Sequence, residues 1–413
     1  MALPPTTTTI QVPPLSSAPP EWNSDPAWKL PSWAEPIIVA SILFGACYCT
    51  RRRNFSILNK SSNNNYTPLS LHDDDTSVVE PYSDTDSSSD YSLSTSTLKH
   101  PPRRRRWLWL TITTPNTSRF ANNPHSRILH KFPFLLEMFY WILTYFLYRL
   151  THILSQSLFS DSIWDTAQEN ALKILFVEQF SFLSFAFPVQ EISVQKWFLA
   201  GHPLLLTVLN KAYALIHIPG TVFFMAWYYS AAPNHAVFAV VRRTMTLCNL
   251  LAFTIFMLYP CMPPRLLPKE FGFVDTVRRD SAESVFMNGK FVNHLAAMPS
   301  MHFGYSFIIG MTCLYHAGGF RWMGVGYQNY SGLGWRVALG VFGVAYPLGV
   351  LTVIVATANH YWLDAVAAAG TAAVALVGNR VFVVLVPLED CLLWVLRVER
   401  PRHTTGEKEG GRD

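Results

Sequence analysis

Apolar and polar stretches alternate along the chain in long blocks rather than in short amphipathic periods. The first apolar block runs from Trp33 to Thr50, with Glu35 as its only charge and Ile37–Tyr48 as its cleanest part. After a long polar gap six more follow, at Phe132–Leu150, Leu204–Tyr229, Met245–Pro260, Pro299–His316, Val337–Ala356 and Tyr361–Val386. A helix that crosses a bilayer needs roughly 17–25 residues. The pattern therefore predicts an all-α, polytopic membrane bundle: a six-helix core preceded by one N-terminal transmembrane anchor. The anchor is short enough to fit a helix lying in the interface as well. Between the first two core blocks, Asn170–Ala200 mixes Glu178, Gln179, Glu191, Gln195 and Lys196 with Phe and Leu, which predicts an amphipathic interfacial helix. The last block carries Ala365, Ala369 and Ala373, with Gly370 and Gly378, at helical spacing. Small residues of this kind let membrane helices approach closely, so this helix is expected inside the bundle.

The polar blocks set the boundaries. Residues 1–32 are rich in Pro, Thr and Ser and lack the charged start of a signal peptide, so a disordered tail is expected there. Residues 33–50 form the anchor. Residues 51–128 include Asn63–Asn65, Asp73–Asp75, Ser87–Ser89 and a basic run, Arg103–Arg106. With so little apolar surface this stretch is expected to be a disordered linker. The six-helix domain is placed at 129–395 and a disordered tail at 396–413.

Lys and Arg in short loops orient membrane helices. With Arg51–Arg53 placed in the cytoplasm, alternating spans bring Arg103–Arg106, Arg127–Lys131, Arg242–Arg243, Arg321 and Arg397, Arg400 and Arg402 to the same side. The opposite, lumenal or extracellular side receives Leu150–His202, Cys261–Met298 and the Thr357–Tyr361 turn. An endomembrane location of the endoplasmic reticulum or Golgi type is expected. All five Asn-x-Ser/Thr sequons, at Asn54, Asn59, Asn65, Asn116 and Asn329, fall on the cytoplasmic side, where they would carry no glycan.

Composition narrows the function classes. Only 14% of the 413 residues are charged and half are hydrophobic, against about a quarter charged in a soluble domain. The mean hydropathy of +0.18 averages an apolar body with a polar linker. Six cysteines in such a length exclude a disulfide scaffold. The net charge of +5 is accounted for by the topology clusters, and no basic face interleaved with aromatics suggests nucleic acid. Lipids and the bilayer are the expected partners.

Three polar motifs fall at helix ends on the non-cytoplasmic side: Cys261-Met262-Pro263-Pro264-Arg265, Met298-Pro299-Ser300-Met301-His302, and Thr357-Ala358-Asn359-His360-Tyr361-Trp362-Leu363-Asp364. His360 and Asp364 are four apart and share a helix face if the last span begins near His360. A carboxylate there orients the imidazole and leaves its other nitrogen nucleophilic. Pro299 suits a first helical turn, which would leave Ser300 and His302 at an anion-binding helix start. Arg265 adds a forked cation suited to phosphate oxygens. A zinc site on His302, His360 and Asp364 is the alternative, but the two-histidine helix signature of zinc hydrolases is missing.

These motifs resemble signatures of the PAP2 (type 2 phosphatidic acid phosphatase) superfamily. Pro-Ser-Met-His at 299–302 and His360-x-x-x-Asp364 resemble its second and third signatures, and Pro-Pro-Arg at 263–265 resembles the end of the first. The finer likeness, over about Phe132–Val386, is to the inositolphosphoryltransferase and inositol phosphorylceramide synthase branch. The resemblance implies that His360 attacks phosphorus to form a phosphohistidine and that Asp364 orients it. His302 would then protonate the leaving oxygen and deprotonate the acceptor. Arg265 and Ser300 would hold the phosphoryl oxygens, with no metal or other cofactor. Two family positions differ: Leu258 stands where a Lys is usual, and Ile354 where an Arg is usual. A pocket short of two cations is expected to favour a phosphodiester head group over a doubly charged phosphomonoester. A lipid phosphate phosphatase, and a non-enzymatic protein that binds or moves lipids, are the rival readings.

Overall fold

The computed structural model describes residues 33–53, 55–58, 102–107, 110–159, 163–180, 182–279, 295–323 and 332–406. The runs of Asn, Asp and Ser in the linker, the tail at 1–32 and the sequons at Asn54, Asn59, Asn65 and Asn329 lie outside the described residues.

The chain order is α1 (Ala34–Cys49), β1 (Arg103–Trp107), β2 (Leu110–Thr114), α2 (Pro124–Lys131), α3 (Phe134–Phe159), α4 (Ile163–Phe180), α5 (Glu191–Gly201), α6 (Pro203–Leu215), α7 (Thr221–Ala231), α8 (His235–Leu258), the single turn α9 (Thr276–Arg279), α10 (Met301–Ala317), α11 (Leu333–Ala356), α12 (Trp362–Gly378) and α13 (Val386–Val395). The fold is overwhelmingly helical, as expected. Among the described residues, three stretches are long and apolar enough to cross a membrane: His235–Leu258, Leu333–Ala356 and the run Trp362–Val395 that joins α12 to α13. A fourth arises if Ile163–Phe180 and Ser184–Gly201, bent by 80°, count as one broken span. The expected amphipathic helix at Asn170–Ala200 is thus two helices with a sharp bend. α1 has only 16 residues, below membrane-crossing length.

Each helix has a local cause. α8 starts at Asn234, whose side-chain oxygen accepts the N–H of Val237 at 2.9 Å, satisfying one of the donors a helix start leaves open. Gly318, at φ 86, ends α10, the left-handed conformation that favours glycine at a helix terminus. The 204–229 block folds as α6 and α7 joined through a π-turn at Ile216–Gly220 that holds Pro219. The wider turn accommodates a residue that has no N–H to donate and whose ring crowds the preceding turn.

α10 and α11 pack as an antiparallel pair at closer range than side chains allow. A Cβ on Gly310 would stand 2.5 Å from Gly343 O, and one on Gly343 would stand 2.8 Å from Gly310 O. This is the small-residue crossing expected in a membrane bundle, but it lies on α10 and α11 rather than on the Ala365–Ala373 stripe. On α12 the buried face is Ala365, Ala368, Ala372 and Ala375, turned towards α8 and α10, while Ala373 and Gly370 are exposed.

Two expectations of disorder need correction. Within 51–128, Arg103–Trp107 pairs with Leu110–Thr114 as an antiparallel hairpin, and Pro124–Lys131 is helical. Thr114 Oγ1 donates to Asp390 Oδ2 on α13 at 2.9 Å. Within 396–413, residues up to Gly406 are held in place. Arg397 O accepts from Asn123, Glu399 accepts from His130 at 2.7 Å, and Arg400 pairs with Glu389 at 2.7 Å. Hydrogen bonds to α2, α13 and α1 order these polar segments where their own apolar surface is too small to do so.

The same contacts gather the basic clusters. Arg52 N donates to Lys131 O, Arg52 Nη2 donates to Arg402 O, and Arg242 binds Glu137 Oε1 at 2.5 Å. Arg242 lies on the first half of α8, so this basic end is separated by the rest of that helix from Cys261 and Arg265.

Substituting Gly310→Ala is expected to lower stability by about 1–3 kcal/mol through overpacking, read as a reduced unfolding midpoint in detergent. Gly349→Ala on α11, the helix packed against it, where a Cβ meets nothing within 4 Å, should leave the midpoint unchanged or raise it.

Candidate active site

Tertiary structure brings all three motifs to one end of the bundle, where α8 finishes, α10 begins and α11 turns into α12. Backbone hydrogen bonds stitch them. Cys261 N donates to Leu295 O at 2.7 Å, and Ala297 N donates back to Cys261 O at 3.2 Å. Arg265 N donates to Ala358 O at 2.9 Å, and Ser300 N donates to Asp364 O at 3.1 Å. The Tyr361 hydroxyl adds a bond to Met262 O at 3.0 Å. Burial pushes this phenol well above its ordinary range, so it stays a donor. Ala358 holds φ at 52, an uncommon conformation for a non-glycine residue that costs of order 1–3 kcal/mol. The turn that presents His360 is therefore kept in shape by its neighbours.

His360 is buried, and its Nδ1 lies 2.8 Å from Ala297 O and 3.3 Å from Asp364 Oδ2. A carbonyl only accepts, so Nδ1 carries the proton, and in the neutral ring Nε2 then holds the lone pair. The expected orienting carboxylate is present, yet the shorter bond comes from a backbone carbonyl in the second motif. Asp364 Oδ2 also accepts Tyr361 N at 3.0 Å, closing the first turn of α12, and Asp364 Oδ1 is buried with no partner.

His302 sits in the first turn of α10. Its ring stacks on Tyr213 at 4.1 Å and its centroid is 5.9 Å from that of His360. Helix α10 begins at Met301 with Ser300 as N-cap, so Pro299 precedes the cap and does not occupy the first turn as the sequence suggested. Ser300 is fully buried, and its Oγ accepts Phe303 N at 3.4 Å. Its observed bonds are those of a cap that ties α10 to α12.

Arg265 differs most from expectation. Its Nη1 reaches both oxygens of Asp275, at 3.0 and 3.1 Å, and both side chains are 9% exposed. Its charge is largely balanced within the protein. Gln195 fixes the segment before Asp275, donating to Val274 O at 2.8 Å and accepting Val274 N at 3.0 Å. Of the two family positions that differ, Leu258 is 66% exposed and Ile354 is fully buried, so neither supplies a substitute cation. Cys261 is fully buried and burial pushes its thiol up, which leaves it a packing residue.

Sequence reading missed the Ala297 carbonyl, Tyr213, Asp275, Gln195, and the carboxylates Glu178 and Glu191. The last two were visible as charges in an apolar context. Backbone acceptors and a stacking ring have no sequence signature of their own.

Among the described residues, the His and acidic side chains that best match a metal-donor set are Glu137, His235 and His403, with donor atoms within 4.8 Å of one another. They lie at the basic end, remote from His302, His360 and Asp364. The His235 and His403 rings are parallel within 4° at 3.3 Å, so one ion cannot lie in both ring planes.

The PAP2 superfamily model matches residues 181–378 of the chain. No curated protein and no solved structure matches it. The matched stretch contains Arg265, Ser300, His302, His360 and Asp364, and leaves out α1, the hairpin and α13. It relates the chain to phosphatase- and phosphotransferase-type enzymes, here carried on helices of membrane-crossing length.

Because Ala297 O alone suffices to hold the proton, Asp364→Asn is expected to leave His360 in its Nδ1–H form. Solid-state NMR on protein labelled with 15N-histidine, assigned by difference with His360→Asn, reads this as a persistent unprotonated Nε2 signal.

Proposed function

We propose that this chain is a membrane enzyme that transfers a phosphoryl or phosphodiester head group between lipids through a phosphohistidine on His360. The carrying observation is the 2.8 Å contact of His360 Nδ1 with Ala297 O, which assigns a proton to Nδ1 and makes Nε2 of the neutral ring the nucleophile. In the first step the Nε2 lone pair bonds to phosphorus and the P–O bond to the leaving group breaks. Protonated His302 supplies the leaving oxygen's proton. The imidazole now carries a positive charge, and Asp364 Oδ2 at 3.3 Å stabilises it. In the second step His302 takes the proton of the acceptor hydroxyl, the new P–O bond forms and the P–N bond breaks. Arg265 and the start of α10 hold the phosphoryl oxygens, with Ser300 fixing that helix start. No metal enters this sequence.

Charge favours a phosphodiester. Asp275 balances Arg265, and Leu258 and Ile354 replace the two further cations. A singly charged diester suits such a pocket better than a doubly charged monoester. Phosphoinositol, suggested by the resemblance to the inositolphosphoryltransferase branch, is the head group we assign first. A lipid phosphate phosphatase would use the same residues with water as acceptor. The basic end faces the cytoplasm by the loop-charge rule, which puts the reactive end on the lumenal face of an endomembrane.

The test is turnover of labelled phosphatidylinositol, with a long-chain alcohol or ceramide acceptor, by the full-length protein in vesicles. His360→Ala is expected to abolish transfer, and His302→Ala to reduce it by about 10²–10⁴-fold. Vanadate should inhibit and EDTA should have no effect. Turnover by His360→Ala equal to wild type would sink the nucleophile assignment. Activity lost in EDTA would replace the mechanism with a metal-dependent one. Faster hydrolysis of phosphatidate than transfer would make the chain a phosphatase.

A further inference from the structure

The first turn of α12 carries Asp364 and follows directly on His360, yet its own sequence caps only part of it. Asp364 takes Tyr361 N. The next two N–H groups point to carboxylates from other helices. Trp362 N donates to Glu191 Oε1 on α5 at 3.2 Å, and Leu363 N donates to Glu178 Oε1 at the end of α4 at 2.6 Å. Both carboxyl groups are almost fully buried, 1% exposed at Glu191 and 2% at Glu178. A buried polar group is costly without a hydrogen-bond partner, and these backbone N–H groups are partners that the two side chains find. The Trp362 indole N–H adds a bond to Val189 O at 2.8 Å, tying the same turn to the segment just before α5.

We infer that Glu178 and Glu191 are positioning residues, whose carboxyl oxygens hold the start of α12 and through it the geometry of His360 and Asp364. The inference rests on the proposed reaction for its catalytic consequence, and on the hydrogen bonds alone for its structural one. The pair also explains why the anion is directed to the start of α10. At α12 the helix-start donors, which elsewhere bind phosphate, are already taken by protein carboxylates.

The deciding property is an acceptor at the right reach. Negative charge as such is not required. Glu178→Gln preserves that acceptor, because its carbonyl accepts Leu363 N–H. Glu178→Asp keeps the carboxyl group and withdraws it by one methylene. For the full-length protein in vesicles, Glu178→Gln is expected to retain kcat close to wild type. Glu178→Asp should lose about 10–100-fold in kcat with KM unchanged, as a displacement of about 1 Å at a reacting group does. Glu191→Gln and Glu191→Asp should behave in the same way. Hydrogen exchange over 358–366 should rise in the Asp variants and stay at wild-type level in the Gln variants. The opposite order, Asp active and Gln inactive, would overturn the inference in favour of an electrostatic role. Equal kcat in both, or unchanged exchange in the Asp variants, would overturn it as well. Failure of the proposed reaction is seen separately, as wild type no faster than His360→Ala, and the exchange result then still decides the clamp.

Discussion

The site depends on a single bond, the one from His360 Nδ1–H to the carbonyl of Ala297 at 2.8 Å. It fixes the proton on one nitrogen and thereby frees the other. The bond exists only because Ala297 is held in turn. Its N–H binds Cys261 O, and Cys261 binds Leu295 O. The acceptor for the third motif is thus supplied by the approach to the second, which is anchored on the first. In an apolar body with little water to satisfy stray backbone groups, such cross-linking is the way three irregular loops can be buried together. Asp364 has a double duty. It closes the first turn of α12 and stands beside the imidazole where positive charge would develop.

Charge neutralisation is the second organising feature. Arg265 faces Asp275 and Arg242 faces Glu137. An isolated ion in a buried setting is costly, and pairing removes part of that cost. The pairing also decides chemistry. A guanidinium whose charge is balanced by its own protein offers a phosphate geometry and hydrogen bonds, but less net attraction than a free one. The reactive end of the bundle is therefore less cationic than its arginine suggests. At the opposite end Arg52, Arg402, Lys131 and Arg242 are brought together by α2, the C-terminal segment and the start of α8.

Much of the core could be read from one sequence because helices of this kind are announced by length and apolarity. The bounds of α10 and α11 fall close to their apolar blocks, whereas α8 starts at His235, well before Met245, and α12 ends at Gly378, short of Val386; the three motifs fall at the ends of these helices. The misreadings have specific causes. Arg103–Trp107 has no strand-like pattern, and it is a strand because Leu110–Thr114 pairs with it and α13 packs beside it. The tail is polar by composition and ordered through Glu399 and Arg400, which find His130 and Glu389 more than ten residues away in sequence. The Ala365–Ala373 stripe is regular, but which small residues face inward depends on helix rotation. The close crossing fell instead to Gly310 and Gly343, where backbone meets backbone.

Residue type and local spacing were enough to determine a helical membrane-type body, the places where polar chemistry concentrates, and a His-Asp pair at one helical turn. These are local properties, set by 3.6-residue periodicity and by the cost of exposing apolar surface to water. Which atom orients His360, what neutralises Arg265, and which carboxylates cap α12 were decided only by the tertiary structure. Each of those partners is a backbone carbonyl or a carboxylate brought in from another element. A backbone carbonyl looks the same at every residue, so only the fold can select Ala297 O, Asp275, Glu178 and Glu191.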